Sequence, residues 1–411
     1  MNVVEIEDKY GIPFYDRQNL VVEKGKGSHV WDDKGGRYLD FTSGWGVTCL
    51  GHAHPVITNA LCEQSKKLMQ NPNSGFTYSP ARALLLERLQ QVLPVNLSRT
   101  FFTNSGAEAN DAAIKLARKL SGKARVISTR GSFHGRTFNT LSVSGGEQNT
   151  RRYIPQLPQT QFVEFGDIRE IEAAMNDNTA AVIVEPVQGE GGVRIPPAGY
   201  LGKVAQLCKE NTVLLIVDEI QTGFCRTGRF FGLSHSDSPV EADIVTMGKG
   251  IAGGFPFAAF SVTDEVARKI EKGDHGGTYC GNPLGCAVAS EVIRFLQENC
   301  IALRVLESGR KLLKGLQMLA DEYPELVSDA RGIGLLTALQ MKEDGLVGQL
   351  STACQQRGLL VTPTRNGVVR FIPDLLVETG DIEQALEILG DALSSIERPL
   401  AAASQAGIAC G

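Results

Sequence analysis

The feature that most limits the fold is a series of short β-rich runs set between stretches with helical periodicity. The runs are Ala124–Ser128, Ala181–Glu185, Val213–Asp218, Ile244–Met247 and Phe257–Val262, each too short for a helix and rich in Val, Ile and Phe. Leu84, Leu85, Arg88 and Leu89 belong to one amphipathic helix, and Ala109, Ala113, Leu116, Ala117 and Leu120 mark the apolar face of the next. Strand and helix in alternation predict an α/β fold, a mostly parallel sheet with helices on both faces. After about residue 285 the helices lengthen, and strands return at Leu335–Gln340, Leu359–Thr362 and Val368–Ile372. That predicts a second, smaller α+β unit. The first fifty residues are turn-rich, and Val30–Asp40 reads as a hairpin with glycine at its turn, expected to pack with the smaller unit. The expected division is 1–50 for this N-terminal segment, 51–285 for the large domain and 286–411 for the small one. The small-residue tail Ala401–Gly411 is expected to be loose.

Composition excludes several classes of partner. Lys and Arg total 41 and Asp and Glu 46, a net charge of −5, which favours neither nucleic acid nor anionic lipid. The apolar runs, such as Val213–Val217, are stopped by charge well short of the roughly 20 residues a membrane helix needs. The N-terminal MNVVEIEDKY has no basic stretch followed by an apolar one, so neither a signal nor a transit peptide is read there. Nine cysteines without a C-x-x-C are read as reduced core thiols of a cytoplasmic protein. No metal is expected, since Cys and His lack paired spacing and no H-E-x-x-H occurs. The sequon Asn96-Leu97-Ser98 is read as chance.

Three stretches could carry chemistry. In Thr103-Asn104-Ser105-Gly106-Ala107-Glu108, Ser105 and Glu108 form a capping box at a helix start. The free N–H groups there suit phosphate, and Gly106 lets a ligand approach, although an ordinary capped helix has the same pattern. In Val217-Asp218-Glu219, two acids end an apolar strand, where ligands of open α/β sheets sit. There an acid can be a base, a metal ligand or the partner of a buried cation, or it can simply be exposed. In Met247-Gly248-Lys249-Gly250-Ile251-Ala252-Gly253, the G-x-G-x-x-G pattern is half of a dinucleotide fingerprint. Pro256 and a strand follow where a helix is required, so nicotinamide binding is rejected. What remains is a lysine among glycines, with room for a flat ligand; near apolar walls it could act as an amine nucleophile, and otherwise it is a surface lysine.

Arg136 and Arg370 each need a carboxylate, from the protein or from a substrate, and Glu190 is a candidate protein partner for them. His134 is read as a structural or supporting donor, His52 and His54 as turn residues, Trp31 as hairpin packing and Trp45, between two glycines, as a candidate pocket wall. A phosphate site, a strand-end acid, a nucleophilic lysine and arginine clamps together are what pyridoxal phosphate requires: an amine for its aldehyde, an acid for its ring nitrogen and amides for its phosphate.

At this point the sequence resembles the class III pyridoxal-phosphate aminotransferases of fold type I, and within them the acetylornithine/ornithine group. The resemblance spans nearly the whole chain: LGHAHP at 50–55, TNSGAEAN at 103–110, FHGRT at 133–137, EPVQGEGG at 185–192, DEIQTGFCRTG at 218–228, GKGIAGGFP at 248–256, HGGTYCGNPLGCAVA at 275–289 and RGIGLL at 331–336. It implies a large domain with a mostly parallel seven-stranded sheet beside a smaller α+β domain. It implies that Lys249 holds the cofactor covalently, that Asp218 pairs with the ring nitrogen and that Gln221 touches the ring hydroxyl. Ser105, Gly106 and Ala107 would hold the phosphate, Phe133 would stack on the ring, and His134 would sit among the cofactor-binding residues. Thr278 would reach the phosphate of a neighbouring subunit, which implies a homodimer with shared active sites. Arg136 would hold the substrate α-carboxylate. Arg370 would bind the oxo acid or rest on Glu190, the gate of the ornithine-type enzymes.

The implied activity is ping-pong transfer of the terminal amino group of N-acetylornithine or ornithine to 2-oxoglutarate. The departures lie around the substrate. Trp45 and Val47-Thr48-Cys49 stand where acetylornithine enzymes usually have a small or aliphatic residue and an Asn pair, and Cys280 replaces a usual glycine. They leave 4-aminobutyrate, diaminobutyrate or a bulkier primary amine as alternative donors, and an aminomutase or decarboxylase as an alternative chemistry.

Overall fold

The computed structural model describes residues 1–146, 151–153 and 159–408. Near the N-terminus lie β1 (Val22–Lys26), β2 (His29–Asp32) and β3 (Arg37–Asp40). The β2–β3 turn is held by the Asp32 carboxylate, which accepts from the amides of Gly36 and Lys34. Next come β4 (Leu97–Thr103), β5 (Arg125–Thr129), β6 (Thr160–Val163), β7 (Thr179–Val184), β8 (Leu214–Asp218), β9 (Ile244–Met247) and β10 (Ala258–Thr263). These seven form one sheet in the order β4-β10-β9-β8-β7-β5-β6. The run from β9 to β6 is parallel, and only β10 runs antiparallel to its neighbours.

The central strands β7, β8 and β9 read as mostly apolar runs because both faces of the sheet are covered there. Val182, Val184, Leu215, Val217, Val245 and Met247 enter the main core. The alternating residues Ala181, Ile183, Ile216 and Ile244 enter a second core, with Ala113, Leu116 and Ala117 of the helix Gly106–Ser121. The two edge strands are the ones periodicity does not mark. β6 reads Thr-Gln-Phe-Val and is mostly half-buried, and β4 carries Ser98, Arg99 and Thr100.

Beyond the sheet, β11 (Val327–Ile333), β12 (Leu336–Met341), β13 (Leu359–Leu360), β14 (Thr362–Pro363) and β15 (Val368–Phe371) follow. They make a four-stranded sheet β11-β12-β15-β14, while β13 joins β3 in parallel to complete a second one, β1-β2-β3-β13. The helix Pro283–Glu298 packs on the helices Pro55–Ser65 and Pro80–Gln90. Arg226, almost fully buried, ties the two units together. Its Nη1 donates to the carbonyls of Leu335 at 3.0 Å and Pro373 at 2.5 Å, and its own carbonyl accepts from the Leu335 amide. Burial lowers this guanidinium to about 10.

Several expectations change. The tail is not loose throughout, since the last helix, Thr379–Ile408, runs through most of it; residues 409–411 lie outside the described residues. Cys62 and Cys300 are exposed rather than in the core. Among the described residues no helix is long and apolar enough to cross a membrane.

The helix Ile301–Glu322 lies so close to the β11–β12 turn that a Cβ on Gly309 would overlap the Gly334 carbonyl, a backbone group that cannot swing aside. Gly309→Ala is therefore expected to lose about 1–3 kcal/mol by overpacking, more than the ~1 kcal/mol of helix propensity it gains. Urea unfolding checks this; an unchanged or raised midpoint would contradict the packing.

Candidate active site

The parallel register sets Val184 of β7 beside Val217 of β8, and Asp218 beside Thr246 of β9. Glu185, Asp218 and the loop after Met247 therefore emerge at one edge of the sheet, at strand C-termini, where ligands of open α/β sheets sit.

Asp218 is 4% exposed. A carboxylate so buried must be satisfied by donors, and it has three. Its Oδ2 accepts from Asn110 Nδ2 and pairs with His134 Nδ1, both at 2.7 Å, and its Oδ1 accepts from the Ile220 amide at 3.0 Å. Asn110 is fixed in turn: it donates to the His134 carbonyl at 2.8 Å and accepts from Thr246 Oγ1 at 2.7 Å. The neighbouring acid has another task. Glu219 accepts from the amides of Gly232 and Leu233 and from Thr222 Oγ1, holding the turn Gly232–His235, and burial raises its carboxyl to about 7 against those bonds.

Glu185 lies beside Asp218. One oxygen of each carboxylate and one His134 ring nitrogen fall within 4.8 Å of one another. Glu185 Oε1 accepts one long bond, 3.3 Å, from the Phe133 amide, and Oε2 is buried without a partner among the described residues. Burial first, and then the charge of Asp218, push this carboxyl well above the usual range; the Phe133 amide and Lys249 oppose them only in part.

Lys249 follows Gly248 at the start of the turn Lys249–Ala252, with φ at +44°. That left-handed value is costly for a residue with a Cβ, and such strain gathers at functional sites. Burial pushes its ammonium below the usual lysine value; the Glu190 carboxylate opposes this, Arg370 adds to it, and Asp218 and Glu185 oppose it. The surrounding glycines do not leave room for a ligand, as the sequence suggested. A Cβ on Gly248 would meet Ile220, one on Gly250 would meet Phe224, and one on Gly253 would meet Ile57. They let the lysine turn pack tightly on protein. Gly106 is similar, its Cβ position being 2.8 Å from Ile220 Cδ1.

At the start of the helix Gly106–Ser121, Ser105 Oγ accepts from the Glu108 amide at 3.2 Å. Glu108 reaches back one residue further than a capping box requires, taking the Asn104 amide at 2.7 Å. The amides of Gly106 and Ala107, in the first turn, have no intrahelical acceptor and remain an anion site.

Arg370, on β15, has no exposed surface. Its Nη2 lies 2.7 Å from Glu190 Oε1, and its Nη1 donates to Gln221 Oε1 at 3.2 Å. Burial opposes the charge on Glu190, but Arg370 and Lys249 outweigh it and hold that carboxyl below the usual range. Arg370 Nε and Gln221 Nε2 are buried without partners among the described residues.

The other expected residues are exposed. Arg136 is exposed, with its guanidinium 5.8 Å from the centre of the Phe133 ring. Trp45 is half exposed near Tyr15, on a left-handed turn in which Ser43, Gly44, Trp45 and Gly46 all have positive φ. Asp40 anchors that turn through the Ser43 amide, and His52 pairs with Asp40 at 2.8 Å. Thr278 is exposed, its carbonyl accepting from Ser74 Oγ at 2.6 Å. Asn110, Thr246 and Glu185 were not singled out in the sequence. The available signal was a polar residue, Asn110, next to Ala109 in the apolar stripe of its helix.

The site can hold a flat, anionic ligand. A buried carboxylate and a lysine shifted toward its neutral form lie on one side, helix amides on another, and a buried arginine lies beyond. The description Aminotransferase class-III matches residues 13–393. The chain is similar to the acetylornithine aminotransferase of Methanothermobacter thermautotrophicus, 39% identical over 96% of this chain and 99% of that one. It is also similar to an ornithine aminotransferase structure from Toxoplasma gondii, with PLP at partial occupancy in its active site (TM-score 0.90, 32% identity, 96% of this chain, 94% of that one). A six-fold mutant of a thermostable omega transaminase from Pseudomonas jessenii superposes with a TM-score of 0.89 at 26% identity, over 96% and 98% of the two chains.

The Glu190–Arg370 pair gives a stability prediction. Glu190→Gln leaves a buried guanidinium with an amide for its former counter-ion. Because the Glu190 side chain is 32% exposed, water relieves part of the penalty, and the expected loss is about 2 kcal/mol. Urea unfolding of the cofactor-free protein measures it; a loss below about 0.5 kcal/mol would mean that the pair is solvated.

Proposed function

We propose a donor and an acceptor for this chain, which belongs to the class III aminotransferases. It is a pyridoxal-phosphate-dependent transaminase, taking an amine donor and an oxo-acid acceptor. The donor is N-acetylornithine or ornithine, giving up its terminal amino group, and the acceptor is 2-oxoglutarate. The observation that carries this reading is the Glu190–Arg370 pair beside Lys249. Glu190 neutralises Arg370 when the substrate brings no second carboxylate. A dicarboxylic oxo acid can displace Glu190 and take the same guanidinium bidentately, with the unpartnered Nε as a further donor.

The residues present fit the cofactor. His134 Nε2, Glu185 Oε2 and Gln221 Nε2 are buried polar atoms with no partner among the described residues, gathered around Asp218, Arg370 and Lys249, as a ring with polar substituents requires. When bound there, pyridoxal phosphate supplies the electron sink for the carbon whose C–H bond breaks. Asp218 holds the proton on the ring nitrogen. Lys249, shifted toward its neutral form, would hold the cofactor and would serve as the base and then the acid that moves the proton at the substrate carbon. Phe133 would cover the ring, and His134, bonded to Asp218 through Nδ1, would help to position that carboxylate. Ser105, Gly106 and Ala107 hold the phosphate at the helix start, Gln221 meets the ring hydroxyl, Arg136 takes the α-carboxylate and Trp45 closes the donor side.

The working unit is a homodimer. The loop carrying Thr278 also presents Tyr279, 64% exposed, and is tied by Ser74 to a segment presenting Phe76, 95% exposed, and Tyr78. Exposed aromatic side chains on two linked segments favour a covering partner, and the partner's phosphate site would give Thr278 an acceptor.

Purified protein loaded with pyridoxal phosphate is expected to form glutamate from 2-oxoglutarate with N-acetylornithine or ornithine, followed by coupled assay. No glutamate from either, with turnover of 4-aminobutyrate or a bulkier amine, would move the donor. Turnover without any oxo acid would contradict transamination. Lys249→Ala is expected to lose the visible absorbance of the lysine-held cofactor and to cut turnover at least ~10³-fold, since it removes both the covalent anchor and the proton carrier. An unchanged steady-state rate would contradict the assignment.

A further inference from the structure

Two acids stand at the ends of adjacent strands. Val184 and Val217 are register partners, so Glu185 and Asp218 leave the sheet side by side, within 4.8 Å of each other and both buried. Two buried carboxylates this near each other make a second negative charge costly, so the one with fewer donors is the one to keep a proton. The donors decide which. Asp218 is met by three, Asn110 Nδ2, His134 Nδ1 and the Ile220 amide, each of which favours a carboxylate. Glu185 is met by one, the Phe133 amide at 3.3 Å, and its second oxygen has no partner among the described residues. Without a donor, a neutral carboxyl costs less there than a carboxylate.

We propose that Glu185 works in its uncharged, proton-bearing form, as a positioning residue that leaves Asp218 the single anion at the cofactor's ring nitrogen while its other oxygen holds the Phe133 amide against the ring. The charged and titratable groups around it agree. Asp218 on β8 and Glu190 from the loop after β7 repel a charge on Glu185, and Lys249 offsets them only in part. His134 already directs Nδ1 to Asp218. This proposal rests on the assignment of Asp218 to the ring nitrogen and is independent of which amine is the donor.

The test compares Glu185→Gln, the neutral isostere, with Glu185→Ala. The alanine variant is expected to bind pyridoxal phosphate at least ~10-fold more weakly and to shift the pH midpoint of the bound cofactor's absorbance, having lost the hold on Phe133; the glutamine variant is expected to restore both to within ~3-fold and a few tenths of a pH unit. Infrared difference spectra of the cofactor-free wild type and Glu185→Gln, at neutral pH, should show one protonated carboxyl band lost in the variant. That comparison stands even if the alanine protein does not fold. A glutamine variant that behaves like alanine would mean that the negative charge is needed. An alanine variant like wild type would mean that Glu185 has no part in the site, and a missing carboxyl band would mean that it is ionised; each overturns the proposal. Asp218→Asn separates this from the underlying assignment. If it leaves the cofactor's pH-dependent absorbance unchanged, Asp218 is not the ring-nitrogen partner, whatever Glu185 does.

Discussion

A carboxylate at the end of a buried strand must find its donors outside that strand, and Asp218 draws them from three segments. Asn110 comes from the helix after β4, His134 from the loop after β5 and the Ile220 amide from its own loop. Thr246 on β9 fixes Asn110 from behind. The network welds the crossover segments to the C-terminal edge of the sheet. It also orients Phe133, sets the proton on Glu185 and leaves the Lys249 turn packed over Ile220. Removing the charge at Asp218 would leave three donors facing no acceptor of equal strength, which is why the site depends on this residue more than on its neighbour Glu219, whose carboxylate holds a structural turn.

Arg370 presents the complementary problem, a buried cation carried by a different unit. β15 brings it, and Arg226, with its two carbonyl acceptors on Leu335 and Pro373, holds that unit against the large one. The Ile372 amide bonds the Phe41 carbonyl, and β13 pairs with β3, so the N-terminal strands and the C-terminal unit are joined along one seam beside the site. Trp45 follows directly after that seam. Trp45 and Arg370 are therefore carried by segments that meet at the same packed junction.

Much of this was legible in the sequence, for physical reasons that differ by residue. Fully buried parallel strands are unbroken apolar runs, so β7, β8 and β9 announce themselves, and the acid that ends β8 stands out against them. The edge strand β6 does not, because half of its surface faces away from the core. The glycines around Lys249 mark a special turn, but spacing alone could not say that their missing Cβ atoms make room for Ile220, Phe224 and Ile57 rather than for a ligand. Glu185 shows the limit most clearly. It ends an apolar run as Asp218 does, and only the β7–β8 register and the donor count separate the protonated acid from the charged one.

In the proposed reaction one charged carboxylate, Asp218, faces the ring nitrogen of the cofactor and keeps it protonated. The most direct measurement is the nitrogen-15 NMR shift of ring-labelled pyridoxal phosphate bound to the wild-type protein, followed across neutral pH. The account predicts a protonated ring nitrogen throughout that range, its signal moving to the unprotonated position in Asp218→Asn. An unprotonated nitrogen in the wild type at neutral pH would contradict it.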